Sequence, residues 1–486
     1  MKLKDKFMTM YRSDRVTLGE WILAIVTGLF VFVTSSTWDV QSLTQWSVNV
    51  WHALFNGNFR GLYAYTAENI YHVHHAHMGS ELLSVLPWSV WNLPLFIIQR
   101  VTGNDIVGSA TMLAYSKLFL VLLSVVTLIY TKKIAFFITG DKNKSAWAML
   151  LTASSVYLYI SVCYSGQNDI LMITASVIAV YSLIRGKQTA FFVWSALAIA
   201  IKPFFVLPYI AVVLLCEKRL LPIIGKVLLG FVGFLAQKLL FMGAPGYSES
   251  MSSGPSKEML EKMFPANFNT ALGGTSLFAV ALVLIFFYAY TRDFSRESFK
   301  DKPVLTAKYI VYLITITYAA YVLLSPFSFY RIGILVPYLY LVLVQNKKMY
   351  FYNTVFDTVM QAALLMKMVL RGSKLLTVQF VNKSLFQRML GYTVNYDKAG
   401  KYQSIDTFLF DKIDLLEKFQ PAFSGVAIVC AALLLWNNHP ERESKLKVYG
   451  DPKYCRAINW LRTLIIVPFV LMVLWLFVHA PVRVYA

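Results

Sequence analysis

The 486-residue chain is 57% hydrophobic and only 14% charged, with a mean hydropathy of +0.57, which is more apolar surface than one soluble core can hide. It reads as an all-α polytopic membrane protein, with no stretch left over for an ordinary soluble domain. The net charge of +20, from 45 basic and 25 acidic residues, sits mostly in short turns between apolar runs. It therefore reports orientation in a membrane and implies no nucleic-acid partner.

Residues 1–17 carry Lys2, Lys4, Lys6, Arg12 and Arg15, and the apolar run 18–36 after them ends without a small-residue cleavage site. This predicts a retained first span with a cytoplasmic N-terminus, so that Asp39 emerges on the outer face. In the outer loop, residues 37–106, Leu43, Trp46, Val50, Trp51, Leu54 and Phe55 recur at helical spacing and predict an amphipathic helix lying in the interface. Residues 82–99 contain Pro87, Trp88, Trp91 and Pro94 and are expected to dip into the membrane without crossing it. The crossing falls to 107–130, which leads to Lys132, Lys133, Lys142 and Lys144 on the cytoplasmic side. Residues 146–164 return outward and deliver Gly166-Gln167-Asn168-Asp169, and 170–184 run back to Arg185 and Lys187.

Residues 189–201 form a helix of about 13 residues, roughly 20 Å against a hydrocarbon thickness of about 30 Å. That helix is too short to cross alone. It ends at Lys202-Pro203, where proline interrupts helical hydrogen bonding, and such a break at membrane depth is tolerated where it lines a cavity or is buried in protein. Residues 204–216 complete the return to Lys218 and Arg219. Residues 222–242 then lead to a polar outer loop, 243–274, read as a lid, and 275–291 and 304–324 flank a basic cytoplasmic turn. Ser325-Pro326 and Arg331 lie outside before 332–345 returns to Lys347 and Lys348. Residues 351–370 cross or lie flat, 371–420 are of mixed charge, and spans 421–436 and 459–479 enclose a basic loop. The total is about 13 spans. They divide into a module 1–242, the lid loop and a C-terminal module 275–486.

Several residues can carry chemistry. Asp39, at the mouth of the first span, is either a helix-end acid in water or a general base, because an aspartate of ordinary pKa, about 3.9, is ionised at neutral pH and can take the proton of an attacking sugar hydroxyl. Gln167, Asn168 and Asp169 either cap a helix or hydrogen-bond sugar hydroxyls or a lipid phosphate. Lys202, a cation between two apolar runs, must be paired, face water or snorkel, and phosphate is its natural anion. Arg331 is a second phosphate ligand or an interfacial anchor. His74 and His77 share a helical face, as do His72 and His75, but two ligands do not close a metal site and no CxxC accompanies them. No metal or cofactor is therefore expected, and His74, His75 and His77 are read either as substrate contacts or as the polar face of an interfacial helix. Lys117 and Lys238 are read as snorkelling lysines.

The acid after the first span, Gly166-Gln167-Asn168-Asp169 heading an apolar run, Arg185-Gly186-Lys187, and the stretch from Ala196 to Lys202-Pro203 together resemble the GT-C superfamily of integral membrane glycosyltransferases. The resemblance is to the polyprenol-phosphate-mannose-dependent mannosyltransferase branch and covers roughly residues 160–215. It implies a polyprenyl-phosphate-linked hexose donor, a glycan or glycolipid acceptor, an active site on the outer face of a bacterial cell membrane, inversion at the anomeric carbon and Asp39 as base. It also implies a shared module of the first seven helices with amphipathic helices in the outer loop. Relatives carry a Tyr-Pro-Pro-like element in that loop, for which the nearest segment here is Leu86-Pro87-Trp88. The rival readings are a transporter or flippase of a lipid-linked saccharide, expected to show an inverted repeat that this chain lacks, and an oligosaccharide polymerase or ligase.

Overall fold

The computed structural model describes residues 15–34, 38–69, 77–103, 109–252, 254–266, 268–270, 273–294, 298–326, 329–346, 349–370, 419–442 and 459–479. The described chain is almost entirely helical. Helix α1 (Leu18–Thr34) opens on one half of a capping box, in which the Glu20 carboxylate accepts from the Thr17 amide at 2.5 Å and from its hydroxyl at 3.0 Å. Its outward side chains Ile22, Ile25, Val26 and Leu29 are exposed, as a lipid-facing stripe would be. Its inner face packs on Tyr159, whose hydroxyl donates to Ala24 O at 2.6 Å.

Helix α2 (Trp38–Phe55) is the expected outer-loop helix, but it does not lie on a surface. From Ser42 to Val50 both its apolar and its polar faces are buried, because α3 (Leu62–Glu68), α4 (Leu82–Trp91) and α5 (Leu93–Thr102) close around it. Only its end, Leu54 and Phe55, is exposed. The segment predicted to dip without crossing is the pair α4 and α5, ten residues each, bent by 65° at Asn92. The Asn92 side chain holds that bend by donating to Ser47 Oγ at 2.8 Å and Ser116 Oγ at 2.9 Å.

Helix α6 (Ala110–Thr139) runs on through Lys132 and Lys133, more than two turns beyond the expected end of the span. It is followed by α7 (Lys142–Ala153), by α8 (Val156–Leu158) leading into a π-helical stretch Tyr159–Tyr164, and by α9 (Asp169–Ile184). Buried on nearly all sides, α9 packs on α6, on α10 (Gln188–Ile201) and on α17 (Pro303–Leu324). Helix α10 stops at Lys202, a 3₁₀ turn covers Pro203–Phe205, and α11 (Val206–Cys216) completes the broken element.

Helix α12 (Leu220–Phe241) packs on α10 and otherwise exposes leucines. The polar loop read as a lid contains α13 (Tyr247–Met251), α14 (Pro255–Met263) and a two-stranded hairpin, β1 (Phe268–Thr270) with β2 (Gly273–Thr275). The remaining helices are α15 (Leu277–Thr291), α16 (Ser298–Asp301), α17, α18 (Val336–Gln345), α19 (Tyr350–Leu370), α20 (Gln420–Asn437) and α21 (Ile466–His479). Among the described residues three helices are long and apolar enough to cross a membrane, Thr111–Thr139, Leu220–Phe241 and Pro303–Leu324, and two bent pairs raise this to five.

The second bent pair, α7 with α8, turns by 44° at Ser154-Ser155. The backbone groups freed there find side-chain partners. Arg462 donates to Leu151 O at 2.6 Å and to Ser154 O at 3.0 Å, and Gln361 Oε1 accepts from the Val156 amide at 3.2 Å. Arg462 is in turn held by Asp357 at 3.0 Å, with both side chains fully buried, and by the Tyr340 hydroxyl. Sequence reasoning missed this cluster, although an arginine and an aspartate inside apolar runs are its signal.

Arg462→Met strands Asp357 and two backbone carbonyls and is expected to cost about 3–5 kcal/mol, while adding Asp357→Asn recovers a substantial part; thermal unfolding of the purified variants reads both effects. Glu217, after α11, is pulled down to about 2 from 4.5, first by the hydrogen bond from Lys226 and next by the Arg219 amide. A depressed carboxyl stabilises the fold fully above its unfolded pKa and loses that contribution as the pH falls toward the folded value. The Tm advantage of the wild type over Glu217→Gln is therefore constant above a pH of about 5 and shrinks on acidification below it.

Candidate functional site

Asp39 lies in the first turn of α2, where the helix dipole favours a carboxylate. Its Oδ2 accepts a hydrogen bond from Gln167 Nε2, across 128 positions of sequence. Gly166 makes this approach possible. Its φ of +63° is in the left-handed region, and a Cβ there would lie 2.0 Å from Val40 Cγ2, so the chain can pass against the first turn of α2 only with no side chain at that position. The Gln167 amide is fixed separately, by donating to Ser161 O at 3.0 Å.

Asn168 occupies the cap position of α9, yet its side chain does not cap. It donates to Ser84 Oγ on α4 at 3.0 Å, tying α4 to the same tripeptide. Asp169, the first residue of α9, forms an ion pair through Oδ1 with Lys202 Nζ. The two side chains are 0% and 5% exposed, so this lysine is paired and does not snorkel.

Lys202 owes its position to the helix break. Its backbone is extended, with φ −149° and ψ 134°, and Pro203 follows it. Ala198 O still accepts from the Lys202 amide at 3.0 Å, and Ala200 O is taken by Gln237 Nε2 at 2.7 Å. The same Gln237 accepts from the Leu83 amide at the start of α4, at 3.0 Å. One side chain on α12 therefore satisfies both a broken end and a helix start. Beyond the break, the buried Arg331 guanidinium lies 4.7 Å from the centre of the Phe204 ring, and α14 packs on the Pro203–Phe205 turn with Met259 and Met263 buried.

The described residues thus bring together Asp39, Gln167, Asn168, Asp169, Lys202 and, through Phe204, Arg331. Of the histidines singled out, His77 is exposed, and His72, His74 and His75 lie outside the described residues. No cluster of three or more His, Cys, Asp or Glu side chains able to hold a metal occurs among the described residues. The two lysines expected to snorkel are also anchored. Lys117 Nζ donates to Phe32 O near the end of α1 at 2.8 Å, and Lys238 Nζ pairs with the buried Glu81 at 2.7 Å. Tyr247 OH donates to the same Glu81 at 3.1 Å, joining the loop after α12 to the start of α4.

Two buried polar atoms near the pair have no hydrogen-bond partner among the described residues: Asp169 Oδ2 and the hydroxyl of Tyr318 on α17. Tyr318 lies within electrostatic reach of Asp169. Orphaned acceptors and donors at one place fit a bound hydroxyl or water better than a sealed core. Ser84, Phe204, Gln237 and Tyr318 are site residues that the sequence did not single out. Only Gln237, a polar side chain inside an apolar run, carried a signal.

Gly166→Ala is expected to lower Tm through both the collision with Val40 and the left-handed φ, and Val40→Ala in addition should relieve the first part only, leaving about 1–3 kcal/mol. A thermal melt of the wild type and the two variants separates the two effects. Comparison of the chain with protein-family models, with curated proteins and with solved structures finds no match.

Proposed function

We propose that this chain is an inverting membrane glycosyltransferase that moves a hexose from a polyprenyl-phosphate carrier to a glycan or glycolipid acceptor. The supporting observation is the tripeptide Gln167-Asn168-Asp169. Its first residue holds the acid Asp39, its second ties in α4, and its third holds the cation at the helix break. An acceptor for a proton and a charged group for a phosphate are the two requirements of the reaction.

In the proposed step the acceptor hydroxyl gives its proton to the Asp39 carboxylate as its oxygen attacks the anomeric carbon. The bond from that carbon to the phosphate oxygen breaks on the opposite side, and its electron pair leaves with polyprenyl phosphate. Lys202 has three N–H donors, of which Asp169 takes one, so the pair presents oriented donors beside a carboxylate in place of a lone charge. Arg331 supplies the second cation, and Asp169 Oδ2 is suited to accept from a sugar hydroxyl. The fold proposed with this function is GT-C-like, with about 13 membrane segments, a cytoplasmic N-terminus and the site on the outer face of a bacterial cell membrane. The three long apolar helices, the two bent pairs and the shorter apolar helices supply the material for it.

A second reading, a transporter of a lipid-linked saccharide, is favoured by the same buried ion pair at a broken helix. Incubating purified protein with a panel of polyprenyl-phosphate sugars separates the two. Transfer releases polyprenyl phosphate, and Asp39→Asn is expected to slow the release by about 10²–10⁴-fold while donor binding persists. Full activity in Asp39→Asn would remove that residue from the role. Movement of intact donor between leaflets with no release would favour the transporter.

A further inference from the structure

Two cavities among the described residues lie at the other end of α9, α10 and α11 from Asp39, separated from it by the length of α9, about 24 Å. The larger, of about 1060 Å³, opens where Arg185-Gly186-Lys187 turns between α9 and α10. Gly186 has φ +75°, which lets the turn close tightly with a cation on either side. Lys300, on α16, also lines it, and Thr189 and Ala190 bring the positive end of α10 to it. Phe137, Leu183 and Phe299 form an apolar floor, and the Arg185 guanidinium is held 5.9 Å from the centre of the Phe137 ring.

Charge distinguishes this cavity from its neighbour. The smaller one, of about 610 Å³, is lined by Lys218, Arg219 and Lys226, but also by Glu217 and Asp293. There Glu217 takes Lys226 at 2.9 Å and Arg219 at 3.5 Å, so its cations are largely answered from within the chain. No carboxylate lines the larger cavity, and Arg185, Lys187 and Lys300 form no ion pair among the described residues. Three cations and a helix N-terminus facing one space call for a phosphate-type anion. The volume is far more than a bare phosphate fills, and the apolar floor lies at the end of two apolar helices, where lipid headgroups meet the hydrocarbon region.

We propose that this cavity binds the phosphate headgroup of an anionic membrane lipid, at a site separate from that around Asp39. The lipid enters headgroup first, with its phosphate between Arg185, Lys187 and Lys300 and its glycerol region on Phe137 and Phe299. Such a site anchors the turn between α9 and α10, whose far ends carry Asp169 and Lys202. It does not depend on the glycosyl-transfer reading, and its test does not measure transfer.

The test is native mass spectrometry of the purified full chain titrated with phosphatidylglycerol or phosphatidylcholine. The comparison is with Arg185→Gln/Lys187→Gln/Lys300→Gln and with a control losing the same charge at Lys132, Lys142 and Lys257. The expected result is one phosphatidylglycerol bound in preference to phosphatidylcholine, with affinity falling about a hundredfold in the first variant and little in the control. Unchanged Tm in phosphatidylcholine establishes that the variant folds. Equal losses in both variants would overturn the site. Displacement of the lipid by inorganic phosphate or by a nucleotide at low millimolar concentration would overturn the lipid as its ligand.

Discussion

The arrangement depends on one buried ion pair at one broken helix. Where α10 stops at Lys202-Pro203, the helix loses its hydrogen-bond ladder in a setting that offers no bulk water. Two costs arise there, a set of backbone carbonyls without helical partners and a lysine taken almost wholly out of water. Gln237 answers part of the first and Asp169 answers the second. Because Asp169 is the first residue of α9, the pair fixes the end of one helix against the start of another, and with it the orientation of Gln167 and Asn168. Those two amides then reach Asp39 and Ser84, on elements far away in sequence. Removing either charge leaves the other buried and alone, which is why such pairs specify a geometry more than they stabilise it.

The same physics recurs wherever the chain bends. At Ser154-Ser155 the guanidinium of Arg462 and the side-chain amide of Gln361 take up backbone groups that the interrupted helix releases, and beside Asn92 the Trp51 indole and the Tyr115 hydroxyl take the carbonyls of Ser89 and Trp91 while the Asn92 amide reaches Ser47 on α2 and Ser116 on α6. A helix surrounded by apolar side chains can be interrupted only where a polar side chain from another element replaces the missing bonds. Each bend therefore ties distant elements together, and the bends at Asn92 and Lys202 place α4 and α9 around Asp39.

Most helices were legible because long apolar runs bounded by lysines and arginines leave few alternatives, and the break at Lys202-Pro203 was legible because proline has a fixed backbone requirement. The identity of Lys202's partner was not. Asp169 was visible as one member of a polar triplet, but pairing over 33 positions is set by how α9 and α10 pack, which no local pattern encodes. The burial of α2 was misread for a related reason. Spacing reports that one face is apolar, and whether the polar face meets water depends on α3, α4 and α5 folding over it. Asp357 and Arg462 each carried the signal of a charge in an apolar run, but they are 105 positions apart and each alone fits an interfacial anchor. Gly166 shows a conformational demand that the sequence hints at only as a glycine before a polar triplet.

The central claim is that Asp39 and the Gln167-Asn168-Asp169 tripeptide form one site. Cross-linking in a cysteine-free background tests it most directly, with Cys163, Cys216, Cys430 and Cys455 replaced, Asp39→Cys combined with Gln167→Cys, and a short bis-maleimide applied to the protein in membranes. The account predicts an intramolecular link between positions 39 and 167, and none when position 39 is combined with Arg185→Cys at the far end of α9. Absence of the 39–167 link, while a Glu81→Cys/Lys238→Cys control pair links under the same conditions, would contradict it.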